Sequence, residues 1–194
     1  MDNNQRRKKI VELERLALNL EFSFNRGVDL DNRIIRLTED IEDHHFDWFD
    51  SALTALESEN RKAVTIRISS YGGDVYTALG IIGRMQNSTV SKINTEGYGK
   101  IMSAATAILA AGDQRSMSRL AEFMHHESSY GIEGRHSEIV HEVKVSERLS
   151  QKWAELMSEF TGVPSEYWLK KGVGNDFYIS AEDCLELNIV DKVF

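Results

Sequence analysis

The chain has 194 residues, 31 acidic against 23 basic side chains, and a formal net charge of −8. That length is one ordinary domain with room for a short appendage, and the acidic balance argues against nucleic acid as a partner, since phosphate neutralisation needs clustered Lys and Arg. Apolar residues at 41% and charged residues at 28% fit a folded globular chain, no run approaches the roughly 18 apolar residues of a membrane span, and the single cysteine, Cys184, leaves no intramolecular disulfide and no Cys-rich zinc site.

Residues 1–24 read as a helical appendage. Arg6, Arg7, Lys8 and Lys9 precede Ile10, Leu13, Leu16, Ala17 and Leu20, whose spacing makes one apolar helix face. A basic start before such a face suits a membrane surface or a partner groove. Glu12, Glu14 and Glu21 dilute the positive charge and favour a helix docked on its own domain or a neighbouring subunit. No uncharged apolar run follows the bases, so the segment is not a secretory signal, and a cytoplasmic location is expected.

From Arg33 the pattern changes. Ile34, Ile35 and Leu37 predict a short strand, and Trp48, Phe49, Leu53 and Leu56 a helix. Val64, Ile66 and Ile68 alternate with polar residues as in a half-buried strand, and Val75, Leu79, Ile82 and Met85 predict a second helix. Ser91 to Glu96 reads as a strand broken by Gly97 and Gly99. Ala104 to Ala111 reads as a tightly packed helix ended by Gly112-Asp113, and Leu120 to His126 as a further strand. His136 to Phe160 predicts a long helix stopped by Gly162 and Pro164, with more apolar face than one small domain needs. Asp176 to Phe194 reads as strand, helix around Glu182 to Leu187, and a last strand ending at Val193. Units of about 30 to 35 residues in alternation imply an α/β domain with a largely parallel sheet and helical crossovers.

Three breaks between elements carry residues with chemistry. Ser69-Ser70-Tyr71-Gly72-Gly73-Asp74 follows a strand and precedes a helix, and its glycines leave amides free for an anion or a developing oxyanion. By itself this is an ordinary turn. Gly97 to Ala105 places Ser103 where a Gly-rich turn enters a helix of small residues. There a serine exposes its Oγ, or merely caps the helix. Phe123-Met124-His125-His126-Glu127-Ser128 puts two histidines at a strand end. No metal is expected: His136 and His141 are vague as further ligands, and His44 and His45 read as a solvated helix start. Together the three segments supply oxyanion donors, a nucleophile and a base, and an acid follows in the tail. The order Ser…His…Asp is that of none of the α/β-hydrolase, chymotrypsin or subtilisin types.

These segments resemble the Clp protease proteolytic subunit family, ClpP, whose fold is the crotonase-like α/β arrangement of repeated β-β-α units with a protruding handle helix. Ile68-Ser69-Ser70-Tyr71-Gly72-Gly73-Asp74-Val75 resembles I-N-S-P-G-G-x-V. Gly99 to Ala104 stands where the family has G-x-A-A-S-M, Phe123 to His126 resembles x-M-I-H, and Asp176 to Glu182 resembles D-x-F-x-S-A-x-E. Arg33 to Leu37 resembles the opening strand, and Asn188 to Asp191 the closing G-L-[IV]-D. The match assigns residues 25–194 to a ClpP-like serine peptidase domain.

What the resemblance implies is a serine endopeptidase that needs no cofactor. Ser103 would be the nucleophile, His126 the base and Asp176 the orienting acid, with the backbone N–H groups of Gly73 and Ala104 as oxyanion donors. Asp183 and Asp191 are rivals to Asp176 only in principle, since neither sits in the matching motif. His126 is taken over His125 because Met124 aligns with the methionine two before the family's base, and His125 would point to the strand's other face. The helix from His136 would be the handle interlocking stacked, heptameric rings into a tetradecamer. The substrate would be unfolded protein or peptide, delivered by an AAA+ unfoldase such as ClpX or ClpA. Two other roles of the same fold are a non-catalytic structural subunit and a viral capsid or scaffold maturation protease. Tyr71 replaces the family's proline, Met102-Ser103-Ala104 replaces A-S-M, Glu127-Ser128 replaces Q-P, and residues 1–24 do not resemble the family's N-terminal axial loop.

Overall fold

A computed structural model describes residues 2–194; Met1 of the expected N-terminal appendage lies outside the described residues. Helix α1 spans Asn3–Arg26. Asp2 caps it, accepting from the Gln5 N–H at 2.8 Å, and Gly27 ends it in the left-handed conformation with φ 64°. Its polar edge docks it. Arg15 and Asn19 bond Asp31, and the Leu30 N–H donates to Asn19 Oδ1. Ile10, Leu13, Leu16 and Leu20 remain about half exposed on the single chain.

The remaining elements are β1 (Val28–Asp29), β2 (Ile34–Leu37), α2 (His44–Glu59), β3 (Val64–Ser70), α3 (Val75–Gln86), β4 (Ile93–Met102), α4 (Ala105–Ala110), β5 (Arg115–Met117), β6 (Glu122–His125), α5 (His136–Thr161), α6 (Ser165–Gly172), β7 (Phe177–Ile179), α7 (Ala181–Glu186) and β8 (Lys192–Val193). This is a mixed α/β fold. The sheet runs β1-β2-β3-β4-β5-β8, parallel from β2 onward, with β1 antiparallel on β2. Alternation in β3 puts Val64, Ile66 and Ile68 under the helices, where they meet Phe49, Leu53 and Leu56 of α2 and Ile81 and Ile82 of α3. Every residue of α4 is buried, and its Ala-rich composition lets the backbone lie close to the sheet.

The strand break expected at Gly97 and Gly99 is absent. Strand β4 continues to Met102, and only its partner on one side changes. Thr95 to Gly97 pairs with β5, while Lys100 to Met102 pairs with β6. Gly99, at φ 61°, turns the strand between the two partners instead of stopping it. On the other side, the β3 register also shifts between Ile68 and Ser70. The short elements β1, β5 and α6 have no counterpart among the sequence expectations.

Helix α5 buries only Ala154, Met157 and Thr161. Its first half stands away from the domain, leaving Val140 and Val143 exposed. Among the described residues no helix is long and apolar enough to cross a membrane.

Candidate active site

Ser103 follows the last residue of β4 and takes φ 51°, one of three non-glycine residues with positive φ among those described. For a side-chain-bearing residue that conformation costs about 1–2 kcal/mol. Hydrogen bonds on both sides hold it. The Ser103 N–H donates to the Met124 carbonyl at 2.9 Å, which ties the turn to β6. The Ser103 carbonyl accepts from the Thr106 N–H at 3.0 Å and from the Thr106 hydroxyl at 2.6 Å. Thr106 is a contributor that sequence reasoning missed. Within an Ala-rich helix its hydroxyl was the only signal.

His126 lies one residue beyond β6, with Nε2 2.8 Å from Ser103 Oγ. The neighbouring histidine goes elsewhere. His125 is buried, its Nε2–H donates to the Trp168 carbonyl at 2.9 Å, and its ring meets the Trp168 indole edge-on. Burial pushes the His125 pKa down, which keeps that ring neutral.

Asp176 precedes β7, and its Oδ1 is 3.5 Å from His126 Nδ1. Strand register brings the two together. Strands β6 and β7 are antiparallel with His125 opposite Phe177, so the next residue on each side, His126 and Asp176, also face each other. The separation exceeds a formed hydrogen bond by about 0.5 Å, the kind of gap that closes when substrate binds. The rival acids lie elsewhere. Asp191 pairs with Arg115, which holds its carboxyl below the usual range, and Asp183 accepts from the Ser180 hydroxyl.

The Gly-Gly turn lies directly against the serine. A Cβ on Gly72 would sit 2.6 Å from the Met102 carbonyl oxygen, 2.6 Å from Ser103 Cβ and 2.8 Å from the Ala104 nitrogen. Its φ of 97° likewise demands glycine. Ile41 anchors the turn, donating to the Gly72 carbonyl and accepting from the Asp74 N–H, both at 2.7 Å. Gly73 is therefore held at both neighbours. Among the described residues, the backbone hydrogen bonds use neither the N–H of Gly73 nor that of Ala104.

A cleft of about 640 Å³ opens beside the site, lined by His126, Glu127, Tyr130, Gly172, Asn175 and Asp176 among others. A second cavity of about 90 Å³ shares His126, Glu127 and Gly172 with it and is otherwise lined largely by Trp153, Ala154, Trp168, Leu169 and Val173. Among the described residues no group of three or more His, Cys, Asp or Glu side chains is placed to hold a metal. The solvated helix start expected at His44 and His45 holds for His44 only: His45 is buried, its Nδ1 accepting from the Glu42 N–H at 3.0 Å, while His136 and His141 lie exposed on α5. Cys184 is buried, which pushes its thiol pKa up to about 12 and leaves it unreactive.

A parallel sheet whose strand ends carry a strained serine, a histidine in hydrogen-bond contact with it and two adjacent free amides has the layout of an acyl-transfer site. The Clp protease family model matches residues 25–194, so the chain belongs to the Clp protease family, a family of peptidases. A solved structure of a point mutant of ClpP1 from Listeria monocytogenes is similar in fold, with a TM-score of 0.78. It is 24% identical in sequence, over 85% of this chain and 92% of that one.

Proposed function

We propose that this chain is a serine endopeptidase with Ser103 as nucleophile, His126 as general base and Asp176 as the acid that orients it. The observation that carries the reading is the 2.8 Å contact between Ser103 Oγ and His126 Nε2, with Asp176 on the other ring nitrogen. His126 takes the hydroxyl proton as Oγ attacks the peptide carbonyl. Asp176 selects the tautomer with the proton on Nδ1 and stabilises the imidazolium that forms. The N–H groups of Gly73 and Ala104 stabilise the tetrahedral oxyanion, each such donor being worth about 10²–10³ in kcat. The protonated Nε2 then gives its proton to the leaving amine. A water, activated by the same imidazole, hydrolyses the acyl-enzyme and regenerates Ser103.

The assembly that goes with this reading is a closed chamber of stacked rings of this chain in the cytoplasm. The projecting half of α5 with exposed Val140 and Val143 is the surface that supports it. Unfolded protein or peptide is the substrate class. An AAA+ unfoldase is the partner class that would deliver such a substrate, and α1, whose sequence does not resemble the family's axial loop, is what it would have to accommodate.

Intact mass after reaction with a fluorophosphonate probe tests the chemistry. One adduct per chain that is absent in Ser103→Ala is the expected result. A folded, assembled chain that takes up no probe would overturn the reading in favour of a non-catalytic subunit.

A further inference from the structure

The Asp176 carboxylate is about half exposed, and among the described residues its one side-chain partner is His126. Its position must therefore come from its backbone. On the C-terminal side β7 supplies this through the pairing of Phe177 with His125. On the N-terminal side the chain has just left α6 through Gly172, Val173 and Gly174, a turn with Gly174 in the left-handed region at φ 76°. One residue grips that turn at two points. The Glu127 N–H donates to the Gly172 carbonyl at 2.9 Å, and Glu127 Oε1 accepts from the Gly174 N–H at 3.0 Å. The approach is close: a Cβ on Gly172 would lie 3.0 Å from His125 Nε2, 3.1 Å from the Glu127 nitrogen and 3.2 Å from the His126 carbonyl carbon.

Residues 125 and 127 thus bracket the base. His125 ties the strand to α6 at Trp168, and Glu127 ties it to the turn two residues before the acid. We infer that Glu127 is a positioning residue, whose carboxylate holds the Gly172–Gly174 turn so that the Asp176 carboxylate meets His126 Nδ1. This rests on the peptidase reading of the site. The role belongs to reach and acceptor capacity, not to charge, because the donor it satisfies is a neutral backbone amide.

The test compares Glu127→Ala, Glu127→Gln and Glu127→Asp with the wild-type chain, alone and combined with Asp176→Asn. The readouts are fluorophosphonate labelling rate, kcat and KM on one peptide, and the urea midpoint. Misplacing a catalytic group by about 1 Å costs on the order of 10²-fold. Glu127→Ala is therefore expected to slow labelling and kcat by about ten- to hundredfold, with KM and the urea midpoint little changed. Glu127→Gln keeps the acceptor and the length and retains most of the rate. Glu127→Asp keeps the charge but falls one methylene short, and loses rate as alanine does. On the Asp176→Asn background Glu127→Ala costs nothing further, because the group it positions is already disabled. Wild-type labelling with an unchanged Glu127→Ala rate overturns this inference alone. So does a loss that persists undiminished in the double variant, a loss confined to KM, or a glutamine variant as slow as alanine. A wild-type chain that never labels overturns the peptidase reading, and this inference with it.

Discussion

Replacing Gly72 by alanine tests whether the Gly-Gly turn is built around the nucleophile. The added Cβ meets the Met102 carbonyl oxygen and Ser103 Cβ at 2.6 Å, where ordinary contact begins at 3.4 Å, so about 0.8 Å must be opened between the turn and the serine. Neither neighbour is a flexible side-chain end. The φ of 97° adds strain of about 1–3 kcal/mol for any residue with a Cβ. Stability should fall by about 2–4 kcal/mol, combining that strain with overpacking. The labelling rate should fall by about 10²-fold, because the Ser103 and Ala104 backbone is what moves. Gly162→Ala is the matched control. Gly162 has φ 76° and nothing within 4 Å of a Cβ, so it carries the strain without the collision. It should cost about 1 kcal/mol and leave the labelling rate unchanged. The assay is the fluorophosphonate time course by intact mass, paired with urea titration. A Gly72→Ala chain that labels within threefold of wild type at an unchanged urea midpoint would refute the reasoning.

Other consequences concern stability and substrate choice. Arg115 is a nearly buried latch, its guanidinium donating to both Asp191 oxygens, to Asn188 Oδ1 and to the Phe160 carbonyl at the end of α5. Arg115→Ala takes the side-chain donors from the Phe160 carbonyl and Asn188 Oδ1 and leaves Asp191, which is 43% exposed, with the residue-115 N–H alone; it should cost about 1–3 kcal/mol in a urea titration, and a change under about 0.5 kcal/mol would contradict that role. The hydrogen bond from Arg84 holds the Glu57 carboxyl down at about 2 from an ordinary 4.5. A depressed folded-state pKa gives stability that is fully present above about pH 5 and drains away as pH falls toward 2, by up to about 3 kcal/mol. Glu57→Gln should flatten that acid limb, and parallel acid limbs for variant and wild type would remove Glu57 as its source. The small cavity walled by Trp153, Trp168, Leu169 and Val173 has room for one aliphatic side chain. Peptides with Leu or Met before the scissile bond should have at least about tenfold higher kcat/KM than those with Asp there; equal values would show that the cavity is not the specificity pocket.

Much of the molecule was open to reading along the chain. The period-two alternation of Val64, Ile66 and Ile68 and the helical recurrence of Phe49, Leu53 and Leu56 report which face each element buries, and burial of that face is what forms the element. Alternation also separated His125 from His126, since adjacent strand residues face opposite ways. The motifs around Ser103, His126 and Asp176 were legible through resemblance and order. Composition alone left Ser103 a plain helix cap and Gly72-Gly73 a plain turn.

Tertiary structure decided what depends on pairing between distant segments. Gly97 and Gly99 read as strand breakers, because locally glycine weakens a strand; β4 runs through them because β3 lies along one side and β5 then β6 take the other. Two- and three-residue strands such as β1 and β5 carry too few residues for a period, and only their neighbours make them strands. The pairing of His125 with Phe177 joins residues some fifty positions apart, and it is this register that sets Asp176 opposite His126. The grips of Thr106 on Ser103 and of Glu127 on the turn before Asp176 follow from the same cause. Periodicity in one segment records its own buried face, whereas the alignment of one segment with another is fixed by the packing of the whole sheet.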